Sequence, residues 1–566
     1  MRRLTTIAVL SITVALGGFL AVAGTSAAAL VPTIASDINP GPSDSFPMEL
    51  VPLGNKLIMS ARGPGTAGSE PWSFNGTSAT QLGDINPDPH GSSPTRFITL
   101  GNYTYFAATN AETGSELWRT DGTTASIVSD INPGPLSSAP QNFAKLGSTL
   151  YFSATTAAQG PELWKTDGTT TTIVSDLVPG VNGSSPIYLQ ELNGFIYFGA
   201  NTAATGTELF RTNGGAPTLV SDIYPGVNSS YPTAMTLFDG HLYFNANDGT
   251  SGNELWRTDG TTTSLVQDIY PGSNGSSPFT FTVVGGNLFF HANNGTVGNE
   301  LWTTNGTSTH IVSDINPGPD SSDINVMVSY NGRAYFAARD NVHGTELWRA
   351  DTTAANLVAD SVPGEESSYP GPFFVFDGSL YFAAGSFGSG TELWVEDGSG
   401  PKQVMDIYPG TDSSFPTGFT DFNGTLYFAA DDGTRGKELW KLAPPDTEIS
   451  VSLTALNLTG GKKAVIRTGI KCPASEAHGP CSGSVFLSTA GKVSFSGKRQ
   501  RVAFGRKAFT VAAGKSLQLR FPVSGAKARL LRKSKQARKL VAAIPVRDTA
   551  GNSATFRVKK TLKVAK

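Results

Sequence analysis

Along most of this chain the apolar residues fall in short alternating runs, and Gly, Pro, Asn, Asp and Ser break those runs at regular intervals. Runs such as Gln141–Leu146, Leu150–Ala154 and Thr172–Val174 are rich in aromatic and β-branched residues. This pattern predicts half-buried β-strands, with no helical period between them. It is also a repeat. The tripeptide Glu-Leu-Trp, or a near copy, places Glu at 70, 116, 162, 208, 254, 300, 346, 392 and 438, 46 residues apart each time. Each unit holds four strand-like segments, the third led by a glycine such as Gly160 and then Glu162-Leu163-Trp164. Asx-Gly pairs (Asp121-Gly122, Asp167-Gly168, Asn213-Gly214, Asp259-Gly260, Asn305-Gly306) join the third segment to the fourth. Asn, Asp and Gly tolerate positive φ, so each pair predicts a two-residue type I′ hairpin.

Four antiparallel strands per unit, at this repeat length, predict the blades of a β-propeller. The two ends of the array are complementary. It begins with a lone fourth strand, Val31–Ile38, and ends with a third, Lys437–Leu442, whose turn partner is replaced by Ala443-Pro444-Pro445. If the N-terminal strand completes the last unit, the ring closes with nine blades, above the usual ~4–8. An open or split array is the alternative.

Glu116-Leu117-Trp118 with Asp121-Gly122-Thr123, and Glu162-Leu163-Trp164 with Asp167-Gly168-Thr169, match in full the ELWxxDGT repeat that names a family of secreted bacterial proteins. Residues 31–442 resemble that family. Pro71 for Leu, Phe210 for Trp and Asp351-Thr352 without Gly are departures, and the last copy lacks the turn. The resemblance implies an exported propeller-like protein and transfers no catalytic residue.

Charge divides the chain. Leu30–Pro445 holds 15 basic and 41 acidic residues, a net of −26, whereas Asp446–Lys566 holds 25 and 4, a net of +21. Such asymmetry predicts two modules with different electrostatic partners. Arg2 and Arg3, the apolar stretch from Ile7 to Gly24 and Ala27–Ala29 predict a signal peptide over 1–29, with an uncleaved anchor as the rival. No later segment has the length and apolarity of a membrane span, so the mature chain is expected outside the cytoplasm, secreted or on the cell surface. The expected organisation is therefore all-β: a signal peptide (1–29), a propeller (30–443) and a basic module (444–566).

About seven alternating runs in that last module suggest an immunoglobulin-like sandwich. Val546–Asn552, followed by a final strand, resembles bacterial immunoglobulin-like domains of exported surface proteins. Cys472 and Cys481, the only cysteines, are expected to pair in an exported chain. Lys527, Arg529, Arg532, Lys533, Lys535, Arg538 and Lys539 surround Leu530 and Leu531 and suggest a short basic helix. It serves either as a solvated cover for a sheet edge or as a contact for an anionic envelope polymer. Nucleic acid is not an expected partner.

Two acidic slots recur, Glu before Leu-Trp (Glu116, Glu162, Glu254 and their copies) and Asp before a proline (Asp130, Asp176, Asp268 and their copies). One reading is a ring of metal or sugar sites. The other is that each acid accepts hydrogen bonds from backbone amides, as buried carboxylates must. Together with Trp118, Trp164, Trp256, Asp121, Asp167 and Asp259 they are read as scaffold, with the tryptophans packed between blades. Residues 247–250 and 431–434 faintly resemble calcium loops but lack the alternating acids of an EF-hand loop. No other cofactor is indicated. Histidine–metal spacings, a nucleophile elbow and phosphate-binding loops are missing. The expected function is a secreted or cell-surface binding or adhesion scaffold for an extracellular glycan or protein. The alternatives are a polysaccharide hydrolase or lyase acting at the propeller axis, and a structural surface-layer component.

Overall fold

The N-terminal strand Val31–Ser36 pairs antiparallel with Lys437–Ala443, Val31 opposite Ala443 and Ile34 opposite Trp440. This pairing completes the last of nine four-stranded antiparallel sheets. The structure is a computed structural model. It describes residues 30–65, 68–443, 452–453, 456–459, 464–472, 481–512, 515–547 and 553–564. The predicted signal peptide and the proline linker after Ala443 lie outside the described residues. Among the described residues no helix is long and apolar enough to cross a membrane.

The first strands of successive blades pack side by side around the axis. Met48–Leu53 of blade one touches both Thr95–Leu100 of blade two and Thr417–Phe422 of blade nine. The ring is closed, and its ends are hidden in one sheet instead of presenting bare strand edges. The cores lie between blades. Tyr243 and Leu255 of blade five pack with Leu288, Phe290 and Trp302 of blade six. Between the second and third strands the phenylalanine sits opposite the tryptophan, as Phe152 does opposite Trp164.

The hairpin after each tryptophan differs from the predicted two-residue turn. In blade three the strands are Gly160–Thr166 and Thr171–Ser175, leaving a four-residue loop. Gly168 is left-handed at φ 90 while Asp167 is not. Asp167 Oδ1 accepts the amides of Thr169 and Thr170, both at 2.7 Å, so the carboxylate closes the wider loop. Blade seven lacks the glycine and keeps the turn, Asp351 Oδ1 accepting the Thr353 amide at 2.9 Å. The glycine itself answers to the neighbouring blade. A Cβ on Gly168 would lie 2.4 Å from the Tyr105 hydroxyl. Its carbonyl accepts Arg119 Nη1 of blade two at 2.5 Å. Lys165, Arg211 and Arg257 reach Gly214, Gly260 and Gly306 in the same way, at 2.7, 2.7 and 2.6 Å.

The remaining described residues form a second unit. One of its sheets runs Ala503–Val511, Cys481–Thr489, Lys539–Arg547, Ser553–Thr561, and another is built around Ala464–Lys471 and Ser516–Val523. Ile466, Ile470 and Phe521 of one sheet share a core with Val485, Phe509 and Ile544 of the other, forming a two-sheet sandwich. A small hairpin, Val493–Phe495 with Lys498–Gln500, was not foreseen, because its short polar strands carry too little alternation. The helix α1 (Gly525–Lys533) lies in the basic run. Cys472 and Cys481 form a disulfide.

Candidate functional site

The repeated glutamate heads the third strand with its carboxylate turned into the fold. Glu116 is fully buried. Its Oε2 accepts the Ile131 amide at 2.9 Å and the Ser138 hydroxyl at 2.6 Å. Its Oε1 accepts the amides of Ser138 at 2.9 Å and Asn132 at 3.4 Å. Ile131 follows the fourth strand of the same blade, and Ser138 precedes the first strand of the next. The carboxylate therefore bolts down the loop that crosses from the outer edge of one blade to the axis of the following one. Glu162 with Val178 and Ser184, and Glu254 with Ile269, Tyr270 and Ser276, do the same. Glu438 makes this bolt across the chain ends, accepting the amides of Ile38 at 2.6 Å, Asn39 at 3.3 Å and Ser45 at 3.1 Å. Burial raises the pKa of all these glutamates, and the serine and amide donors oppose it. In blade six Glu300 Oε2 accepts the Ile315 amide at 2.8 Å, and the Ser322 hydroxyl donates to the Asn299 carbonyl at 3.1 Å. Oε1 of Glu300 has no partner, and burial pushes its pKa up to about 7.

The second acidic slot is exposed. Asp130 Oδ2 accepts the Gly134 amide at 3.2 Å within its own turn; Asp176 and Asp268 are exposed in the equivalent place. Asp121 and Asp259 close their hairpins as Asp167 does, and those amide donors hold the carboxyls of Asp121, Asp167 and Asp259 below the usual range. In the calcium-like segments, Asp248 and Asp432 each spend one oxygen on two amides of their own turn. No group of three His, Cys, Asp or Glu side chains suited to a metal occurs among the described residues. Trp164 and Trp256 lie against the inter-blade clusters, Trp164 with Tyr105 and Leu117 of blade two, and Trp118 is half-buried opposite Phe106. His291 is largely buried with neither ring nitrogen partnered, and His241 Nδ1 lies 2.8 Å from the Asp239 carbonyl.

Of the basic run, Lys527 Nζ donates to the Ala503 carbonyl at 2.7 Å. Arg538 donates to the Leu531 and Arg532 carbonyls at the end of α1, at 2.7 and 2.5 Å, where a cation complements the helix dipole. Arg529, Arg532, Lys533, Lys535 and Lys539 are exposed. No Asp or Glu of this module is among the described residues.

Two positions in the crossing loop stand apart from the scaffold. The residue after the second loop serine is left-handed in all nine copies, eight of them followed by proline and Asp323 by Ile324: Phe46, Ser93, Ala139, Ser185, Tyr231, Ser277, Asp323, Tyr369 and Phe415, with φ from 45 to 54. Three residues on, Glu49, Arg96, Asn142, Tyr188, Ala234 and Thr280 are left-handed as well, at φ 52 to 60. None of these residues is glycine, the residue that region favours. The first slot mixes aromatic, small and acidic side chains, and Tyr369, Tyr231 and Phe415 are 71%, 59% and 58% exposed. Their amides donate to the carbonyls of Thr345, Thr207 and Thr391 at 3.2 Å each, which fixes the loop. In the sequence this loop is a serine pair followed in most units by proline, which does not reveal its conformation. The available signal was a variable position between repeated neighbours.

No family model matches the chain. No curated protein matches it. Among solved structures, a xyloglucanase from Xanthomonas campestris is 13% identical over 95% of this chain and 94% of its own, with a TM-score of 0.32. The extracellular domain assigned to a one-component system of B. thetaiotaomicron is 9% identical over 96% and 98%, with a TM-score of 0.29. A puromycin-hydrolysing peptidase from Mycobacterium tuberculosis is 13% identical over 64% of this chain, with a TM-score of 0.33. This chain spans only 61% of that peptidase's length. Likenesses this distant say nothing of activity.

Proposed function

We propose that this chain is an exported binding scaffold of the ELWxxDGT-repeat type, with its ligand face on the crossing-loop side of the propeller. One observation carries the reading: the repeated glutamate and the tryptophan slot are spent on holding the blades, and the residue that varies beside the bolted serine is displayed. Glu116, Ser138 and Trp164 hold the blades, whereas Tyr231, Tyr369 and Phe415 face solvent in loops the scaffold has fixed. Rigid aromatic side chains on a preorganised backbone suit recognition, because little conformational freedom is lost on binding.

The basic module contributes attachment to an anionic envelope polymer through Arg529, Lys533, Lys535 and Lys539, without neighbouring acids to neutralise them in its described part. Binding of the mature chain to glycan and protein arrays, repeated with Tyr231→Ser and Phe415→Ser, tests the ligand face. Lost signal with an unchanged melting temperature is expected. Signal indifferent to every crossing-loop change, or turnover of labelled polysaccharide, would overturn it. Release of the chain from envelope fractions by moderate salt is expected of the attachment, and salt-insensitive retention would contradict it.

A further inference from the structure

The left-handed aromatic positions are not scattered evenly around the ring. Tyr369, Phe415 and Phe46 occupy the crossings into blades eight, nine and one, which are consecutive across the closed seam. Arg62 covers one side of the Phe46 ring, 5.0 Å from its centroid, and Met48 beside it is 51% exposed. A left-handed backbone is strained for an L-residue, and glycine would relieve it. The Tyr369 and Phe415 rings, 71% and 58% exposed, gain little packing in return for the strain. Strain kept without structural benefit is the mark of a functional position.

Resting on the binding-scaffold reading, we propose that Tyr369, Phe415 and Phe46 form a stacking track for a neutral polysaccharide chain. Blades pack face to face at roughly 10 Å, a spacing that a short run of linked pyranose rings bridges. The polarised C–H faces of such rings suit the electron-rich faces of Tyr and Phe. Charge selects against acidic polymers, because the surrounding unit carries 41 acidic and 15 basic residues between Leu30 and Pro445. The serines, alanine and aspartate in the same slot of blades two, three, four, six and seven offer no comparable ring, so the track has a defined length.

The test is titration of the mature chain with soluble β-glucan, xylan and mannan, with alginate as the acidic polymer and a proline-rich peptide as the protein-like ligand. The double variant Tyr369→Gly/Phe415→Gly should lose at least about tenfold in affinity for a neutral polysaccharide, with a melting temperature unchanged or raised. Affinity kept within about twofold in that variant overturns the track. So does loss of affinity only in Tyr188→Ala/Tyr231→Gly, which would move the ligand to blades four and five. Binding of alginate or the peptide but of no neutral polysaccharide overturns the track and leaves the scaffold reading standing. Binding of no probe, in these titrations and on the arrays, overturns both.

Discussion

Ser414 and Phe415 are neighbours in one crossing loop, and their environments are opposite. Ser414 is fully buried, its amide and hydroxyl donating to Glu392 at 2.9 and 2.7 Å. Phe415 is 58% exposed at φ 45. The same change from held to displayed occurs at Ser368–Tyr369 and, with less exposure, at Ser45–Phe46. In eight copies a proline follows the left-handed residue, and at Asp323, φ 54, Ile324 follows instead, so the conformation depends neither on the proline nor on one side chain. Holding and displaying are thus neighbours in one loop: the buried glutamate anchors the serine beside the exposed ring.

The largest effect should come from drawing the bolt at the seam. Glu438→Ala strands the Ile38 and Asn39 amides, whereas the Ser45 amide keeps the Lys437 carbonyl at 3.1 Å, at about 1–3 kcal/mol for each unsatisfied donor. The expected loss in a urea titration is on the order of 2–6 kcal/mol, with the N-terminal strand released first in hydrogen exchange. Protection at Val31–Ser36 equal to that of the other fourth strands would contradict a seam held by this residue.

The next effect is one of pH. Glu300, with one unpartnered oxygen, holds its proton to about 7 in the fold against 4.5 as its ordinary value. The folded state therefore binds the extra proton between those values. The contribution is complete below pH 4.5 and is lost as pH rises through 7, on the order of 3 kcal/mol in full. The melting temperature should fall from pH 5 to 8, and Glu300→Gln should flatten that fall. Glu438 is pushed up to about 7 as well, so an unchanged profile in the variant would show that Glu300 is not the group that takes up the proton. A smaller loss, about 1–3 kcal/mol, is expected for Ser414→Ala, since Glu392 then loses its hydroxyl donor but keeps the Ile407 amide. Urea titration reads it, and a neutral result would separate the serine hydroxyl from the bolt.

The architecture was legible because it is periodic. The 46-residue spacing of Glu-Leu-Trp and the lone strand at Val31 carried the blade count and the closure. The acid's partners were half legible: backbone amides follow from its burial, but Ser138, 22 residues from Glu116, is brought there only by the crossing loop. The hairpin was misread because Asp167 also accepts hydrogen bonds, which favours a four-residue loop over two left-handed residues. The displayed residues were hidden for the opposite reason. A left-handed position normally shows itself by glycine, and under the proposed reading Tyr369 and Phe415 are not glycine because a ligand selects them.

That last statement is tested most directly by the melting temperatures of Phe415→Gly and Phe415→Ala beside the parent chain. Glycine relieves the left-handed backbone and alanine does not. The glycine variant should melt at or above the parent and above the alanine variant, by an amount equivalent to about 1 kcal/mol, and both should lose ligand. A glycine variant that melts below the parent would mean that the ring is held for stability, and that the loop displays nothing.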